Sequence, residues 1–315
     1  MPFVVVATAY GGPEVLSVID QPALSAGPGE VVIAVRAAGV NPIDYKLYSG
    51  SFGADPARLP LRLGSEISGV VTAVGADAAG PAGPILVGDE VIGFRVSGGY
   101  ATELLAPADS VVGKPAALDW AQAAGLMLTG TTAWHCLTAT NVSSGDVLLV
   151  HGGSGGVGTM AVQLAVGRGA TVIATASPAR HDFLRELGAV PVSYGPGLAD
   201  RVSAAAPDGV DAAIDLIGTD EAVDTSLALV ADRSRIATIA AFGRAGPAGI
   251  KALGGGPGAD PGTEIRMAAR LDLAALAQQG SLRVFVSQTY PLSAVADAHR
   301  AISTGHVQGK VVLTT

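Results

Sequence analysis

The chain has 315 residues, of which 49% are hydrophobic and only 15% charged, with a net charge of −8. That length carries two domains with sizeable cores, and the hydrophobic content excludes a disordered chain. The acidic balance and the lack of a basic run argue against nucleic acid or an anionic membrane as partner, and no apolar run is long enough to span a bilayer.

Phe3–Ala7 reads as a strand directly after Met1-Pro2, with no basic start or cleavage site of a signal peptide. A cytoplasmic location is therefore expected. Val31–Val35 alternates toward a strand ending at Gly39, and Asn41-Pro42 is a turn dipeptide. Ile67–Val74 is a strand between turns at Gly64 and Gly75, Ala76–Pro84 is a small-residue loop, and Gly88-Asp89-Glu90 is a turn entering another strand. Short strands at this spacing suit a small β-barrel-like domain.

From about Trp120 the rhythm changes to strands alternating with helices. Strands are expected at Val147–Val150, Thr171–Thr175, Pro191–Ser193, Ala212–Leu216, Arg235–Ile239 and Ile250–Leu253. Helices are expected at Gly158–Gly167, Ala179–Leu187, Leu198–Ala205 and Glu221–Leu229. This α/β pattern describes a doubly wound parallel sheet of Rossmann type. Gly254–Gly262 reads as an irregular loop and Glu264–Gln279 as a helix. Strand Val284–Gln288, helix Ser293–Ser303 and strand Lys310–Thr314 follow, a tail expected to return to the first domain.

The most specific local signal is the apolar strand ending at His151, then Gly152 to Gly158, then an apolar helical run. Gly153, Gly155 and Gly158 have the G-x-G-x-x-G spacing, which lets a backbone approach a pyrophosphate at a helix N-terminus. Gly155, Gly156 and Val157 are the expected cradle; a plain glycine turn is the alternative in a chain with 43 glycines. After the second strand an NAD site offers a carboxylate to the ribose. Here no carboxylate appears until Asp182, and Ser177 and Arg180 stand in its place. A hydroxyl and a cation suit a 2′-phosphate, so NADPH is the expected cofactor. Ser177 also reads as the N-cap of a helix beginning at Pro178. Tyr194 could flank the adenine or the phosphate, or be a half-buried strand residue. Ile217 and Phe242 follow the fourth and fifth strands, where such sheets bind ligands; a core aromatic is the other reading of Phe242.

Ala37-Ala38-Gly39-Val40-Asn41-Pro42-Ile43-Asp44, Gly64-Ser65-Glu66-Ile67-Ser68-Gly69, Gly88-Asp89-Glu90-Val91, Thr129-Gly130-Thr131-Thr132-Ala133, the glycine loop and Gly309-Lys310-Val311-Val312-Leu313 stand in family order. Over its whole length the chain resembles the zinc-independent quinone oxidoreductases of the medium-chain dehydrogenase/reductase superfamily. The resemblance implies a GroES-like β-barrel catalytic domain, residues 1–122 and 260–315, split around a Rossmann domain, residues 123–259. It implies catalysis in the cleft between them and a homodimer joined through the sheet edge near Ile250–Leu253. Zinc-dependent relatives carry Cys where this chain has Asn41 and His where it has Ser65. With one cysteine, Cys136, and five histidines at no paired ligand spacing, no metal site is expected.

Asn41 carries the family's active-site amide position, to donate to a substrate carbonyl or hold the nicotinamide end of the cofactor; it also reads as a turn residue. Asp44 is expected to structure that turn or pair with Lys46. Tyr45, Lys46 and Tyr48 are candidates for the pocket wall, in a segment that departs from the Tyr and Arg of many relatives. Thr132 matches a family position whose hydroxyl reaches the cofactor near the nicotinamide, with helix capping as the alternative. Tyr100 is read as a pocket-lining or plain strand residue.

The expected activity is metal-free, NADPH-dependent reduction of a small quinone or α,β-unsaturated carbonyl by hydride transfer. The alternatives are a dedicated biosynthetic or catabolic alkene reductase, and a non-catalytic NADPH-binding interaction protein.

Overall fold

In the computed structural model, which describes Met1–Thr315, Met1–Leu128 and Arg270–Thr315 form one compact unit and Thr129–Ala269 the other. The expected borders at 122/123 and 259/260 differ from these. Both observed borders fall inside helices, Met127–Ala139 and Thr263–Gln278, where no loop composition marks a change.

The first unit is built on the long strand Glu30–Val40. One edge pairs with Glu66–Val74; the other is shared by Glu103–Pro107 and the C-terminal strand Lys310–Thr314. Glu90–Phe94 and Val111–Gly113 extend the sheet on one side and Val286–Pro291 on the other. The tail thus returns to this unit, with Val311 opposite Val40 and Leu313 opposite Ala38. A second, three-stranded sheet joins Leu16–Asp20, Phe3–Ala7 and Leu61–Arg62. Leu16–Asp20 is not evident in the sequence, because its Val18 and Ile19 lie exposed and no half-buried alternation results. Val5, Ile33, Val35, Ile67, Leu104, Val311 and Leu313 fill the core. Burying each such side chain contributes about 1.5–3 kcal/mol.

The second unit holds a parallel sheet in spatial order Val190–Val192, Thr171–Thr175, Val147–His151, Ala212–Asp215, Ile236–Thr238, Lys251–Ala252. Counted along the chain this is 3-2-1-4-5-6, the doubly wound order. Leu149, Ile173, Ala213 and Ile236 are buried, as strands covered on both faces require. All six expected strands are present, and helix Leu198–Ala205 has its expected bounds. Two details differ. The Ala179–Leu187 helix is a 3-10 turn, Pro178–Arg180, followed by helix His181–Glu186. Phe242–Ala248 is a helix despite Gly243, Gly246 and Pro247, all poor helix formers. Its Ala245 is buried in the core, so packing overrides propensity there. No helix is long and apolar enough to cross a membrane.

Candidate active site

In a doubly wound sheet the chain order reverses between the first and fourth strands, and ligands bind beyond their C-terminal ends. The glycine turn lies at that point. Gly152 turns with φ +81 and its N–H donates to Thr175 Oγ1 (3.0 Å); Gly153 N–H donates to Thr175 O (3.0 Å). The glycines have separate reasons. A Cβ on Gly153 would stand 2.7 Å from Ala174 Cβ, and one on Gly158 only 2.1 Å from Gly152 O. These two let the helix pack against the strands. A Cβ on Gly155 would meet only Gly152 O, at 3.6 Å, and its φ of −75 is ordinary. Neither packing nor backbone geometry demands glycine at 155, so the space above it is left open.

Gly155 is also the N-cap of the 12-residue helix Gly156–Gly167 and supplies no side-chain cap. The first-turn N–H groups of a helix lack intrahelical partners and carry partial positive charge. Gly156, Val157 and Gly158 present those groups here. An open, uncapped helix start at the switch point fits a pyrophosphate.

Ser177 precedes the Pro178–Arg180 turn but makes no side-chain capping bond, so capping does not occupy its hydroxyl. Arg180 closes the same turn, half-buried. Tyr194 lies two residues past the strand Val190–Val192, is 57% exposed, and is therefore not a strand residue. Its loop is braced by Arg201, which donates to the carbonyls of Ser193 (2.9 Å), Gly195 (2.7 Å) and Pro196 (2.8 Å).

On the other side of the turn, Asp215 Oδ1 accepts from Ile217 N (3.0 Å) and Gly218 N (2.8 Å), while its Oδ2 accepts from Thr238 Oγ1 (2.7 Å). This shapes the loop after the fourth strand and sets Ile217 over Gly152, where a Cβ would meet Ile217 Cδ1 at 2.6 Å. Phe242 opens the helix after the fifth strand, its ring against Gly256. Thr132 sits inside helix Met127–Ala139, not at its start, so it is no N-terminal cap; its hydroxyl accepts from Arg266 Nη1 (3.0 Å). Arg266 also reaches His135 Nδ1 (3.4 Å), and its presence at this site is not legible from sequence.

The four proposed catalytic residues lie in the first unit, at the start of helix Pro42–Tyr48. Asn41 is buried, with both amide groups engaged. Its Nδ2 donates to Gly39 O (3.3 Å) and Glu66 Oε1 (3.0 Å), and its Oδ1 accepts from Lys310 Nζ (2.5 Å). Asp44 does not pair with Lys46. Its Oδ2 accepts from Asn41 N (2.9 Å) and Tyr100 Oη (2.7 Å). Burial raises its carboxyl to about 6, although both hydrogen bonds and Lys310 oppose that rise. Tyr45 and Lys46 are half-buried, Tyr45 packing against the core. Tyr48 and Tyr100, read as pocket candidates, are fully buried.

Tyr48, Tyr100 and His299 continue the Asp44 contacts into a chain. Tyr48 Oη lies 2.7 Å from His299 Nδ1, and His299 Nε2 lies 3.3 Å from Tyr100 Oη. Proton counting fixes the directions. Tyr100 spends its hydrogen on Asp44, so it accepts from His299 Nε2–H, and Nδ1 then accepts from Tyr48. Burial lowers His299 to about 4, in keeping with a neutral ring. Every donor in the chain points toward Asp44. Glu66, Lys310 and His299 are the polar residues here that residue-type reasoning passes over. Lys310 heads an apolar strand, where a lysine reads as solvated, and no local signal marks any of the three. No three His, Cys, Asp or Glu side chains gather as a metal ion would require.

Two family models match the chain: the alcohol dehydrogenase GroES-like domain over residues 27–116, and zinc-binding dehydrogenase over residues 187–313. A quinone oxidoreductase of Pseudomonas aeruginosa is 32% identical over 97% of both chains. The spectinabilin polyketide synthase system protein NorB of Streptomyces orinoci is 34% identical over 98% of this chain, which spans 14% of that synthase. Among solved structures, mycobacterial Rv1454c complexed with NADPH superposes with a TM-score of 0.85 at 32% identity, covering 100% of both chains. The full-length match, the GroES-like segment and the doubly wound sheet agree, and the chain belongs to the quinone oxidoreductase family of the medium-chain dehydrogenase/reductase superfamily.

Proposed function

We propose that this protein is an NADPH-dependent reductase of quinones or α,β-unsaturated carbonyls. The observation that carries the reading is the uncapped start of helix Gly156–Gly167, with open space above Gly155 at the switch point of the sheet. In this reading the N–H groups of Gly156, Val157 and Gly158 hold the pyrophosphate, with Gly155 permitting the approach and Gly153 packing the turn against the second strand. Ser177 and Arg180 hold the 2′-phosphate, and Tyr194 flanks it. Ile217, Phe242 and Thr132 position the nicotinamide half. The cofactor supplies a hydride. Asn41, Asp44, Tyr45 and Lys46 form the catalytic wall. Both Asn41 N–H groups are spent on Gly39 O and Glu66. The expected donation to a substrate carbonyl therefore gives way to the remaining lone pair of Oδ1, which can hold the nicotinamide end of the cofactor. A negative charge developing on substrate oxygen needs nearby donors and a proton. Asp44 stands at the receiving end of a directed hydrogen-bond chain, with a carboxyl that burial raises to about 6.

A second reading, a dedicated biosynthetic alkene reductase, draws on the polyketide synthase relative that matches almost all of this chain. For the dimer the family suggests, the outer edge of Lys251–Ala252 matters. There Asp260 N already donates to Ala252 O (2.9 Å) and Gly254 N to Asp260 O (2.8 Å). Pairing through that edge would have to extend around these bonds.

Oxidation of NADPH and of NADH, measured separately with 1,4-benzoquinone and a simple enone, tests the proposal. NADPH-dependent turnover is expected, and the better acceptor separates the two enzyme readings. Tight NADPH binding without turnover on either acceptor would point to a narrow physiological substrate or to the non-catalytic alternative.

A further inference from the structure

Three neighbouring strands of the first unit, Glu66–Val74, Glu30–Val40 and Lys310–Thr314, meet near Asn41 in a fully buried charge cluster. The Glu66 carboxylate reaches across the central strand at Gly39. A Cβ there would stand 2.4 Å from Glu66 Oε1 and 2.4 Å from Ala124 O, so only glycine admits the crossing. Lys310 Nζ has three N–H groups and faces three oxygens: Asn41 Oδ1 (2.5 Å), Glu66 Oε1 (2.7 Å) and Val40 O (3.5 Å). Glu66 Oε2 accepts from Leu128 N (2.8 Å). Lys310 and Glu66 side chains are 3% and 0% exposed. A buried ion pair roughly breaks even against apolar side chains of the same size, so stability alone gives little reason to keep one. Its location is informative, because the ammonium sits on the amide oxygen of Asn41, the residue read as the active-site amide.

We propose that Glu66, Asn41 and the Val40 carbonyl form an all-oxygen cation site whose resident cation is the Lys310 ammonium, and that Lys310 thereby acts as a positioning residue for the Asn41 amide. An ammonium on Oδ1 forbids the flipped amide, so Nδ2 must point to Gly39 O and Glu66 Oε1. The positioning half rests on the reading of Asn41 as an active-site amide. The cation-site half does not.

Lys310→Ala removes the ammonium and leaves the oxygens in place. Thermal unfolding of the full chain is measured with propylammonium chloride and with sodium chloride at equal ionic strength. Turnover of NADPH with 1,4-benzoquinone and NADPH affinity are measured in parallel. The amine is expected to raise the melting temperature of K310A by several degrees and to leave the wild type and the K310A/E66Q double variant unmoved. The kcat of K310A should fall about 10- to 100-fold, as for a displaced catalytic group, with NADPH affinity unchanged and kcat partly restored by the amine. No amine-specific shift in K310A overturns the cation site. A shift with wild-type kcat upholds the site and overturns the positioning role. Absent turnover in the wild type sinks the functional reading and the positioning role together, while the melting shift still judges the site. If K310A does not fold, K310M/E66Q, neutral on both sides, replaces it, and wild-type kcat there refutes positioning.

Discussion

Tyr100→Phe probes the buried chain at its centre. The hydroxyl donates to Asp44 and accepts from His299, and all three side chains are essentially unexposed. Removing it deletes a charge-assisted bond to Asp44, about 1.5–3 kcal/mol, and orphans the His299 Nε2–H, about 1–3 kcal/mol, for a total of about 2.5–6 kcal/mol when Asp44 is ionised. The loss depends on pH. Asp44 rises from 3.8 to about 6 on folding, so the folded state binds the extra proton. Its contribution is therefore fully present below about pH 4 and is lost as pH rises through 6, about 3 kcal/mol in all. The Tyr100 hydrogen bond restrains that rise. Without it Asp44 titrates higher still, and each further unit costs about 1.4 kcal/mol above the new value. His299 is neutral in both folded proteins above about pH 5 and cancels from the difference. Urea unfolding of wild type and Y100F at pH 5 and pH 8 should thus show a destabilisation larger at pH 8 by at least about 1 kcal/mol. Equal losses at the two pH values would refute the Tyr100–Asp44 coupling.

Gly158→Ala places a methyl 2.1 Å from a backbone oxygen and should lower the melting temperature by several degrees. Gly155→Ala meets nothing closer than 3.6 Å and should leave thermal stability unchanged while weakening NADPH binding. A normal NADPH affinity in G155A would remove the cradle assignment. Arg180→Ala should weaken NADPH far more than NADH, because only the former carries the phosphate; equal losses in titrations of both would reject that contact. His151 and His299 are each lowered by burial to about 4, so each contributes stability that is lost as pH falls from about 6.5 toward 4. Each term reaches about 3 kcal/mol, together outweighing the opposite trend of Asp44. An unfolding free energy that does not fall between pH 7 and pH 4.5 would contradict this.

What the chain declares locally is legible without coordinates. The apolar strand, glycine turn and helix around Gly153–Gly158 depend on neighbours in sequence, on hydrophobic period and on glycine's small size. Thr171–Thr175, Leu198–Ala205 and Lys310–Thr314 have the bounds their patterns predict. Local patterns fail where packing overrides propensity, as in the helix Phe242–Ala248, and where an exposed strand such as Leu16–Asp20 buries no face. The same limit governs the site. Sequence marks Asn41 and Asp44 as residues of interest but cannot name their partners, because those lie far along the chain. Lys310 reaches Asn41 across 269 residues and Glu66 across 244. His299 reaches Tyr48 across 251. A lysine at the head of a strand reads as solvated, and a histidine on an amphipathic helix as one more half-polar residue. Only the pairing of Lys310–Thr314 beside Glu30–Val40, with Gly39 leaving room for a carboxylate, turns them into buried partners. Local sequence sets the element and its face, and the sheet register decides which charges must be neutralised inside.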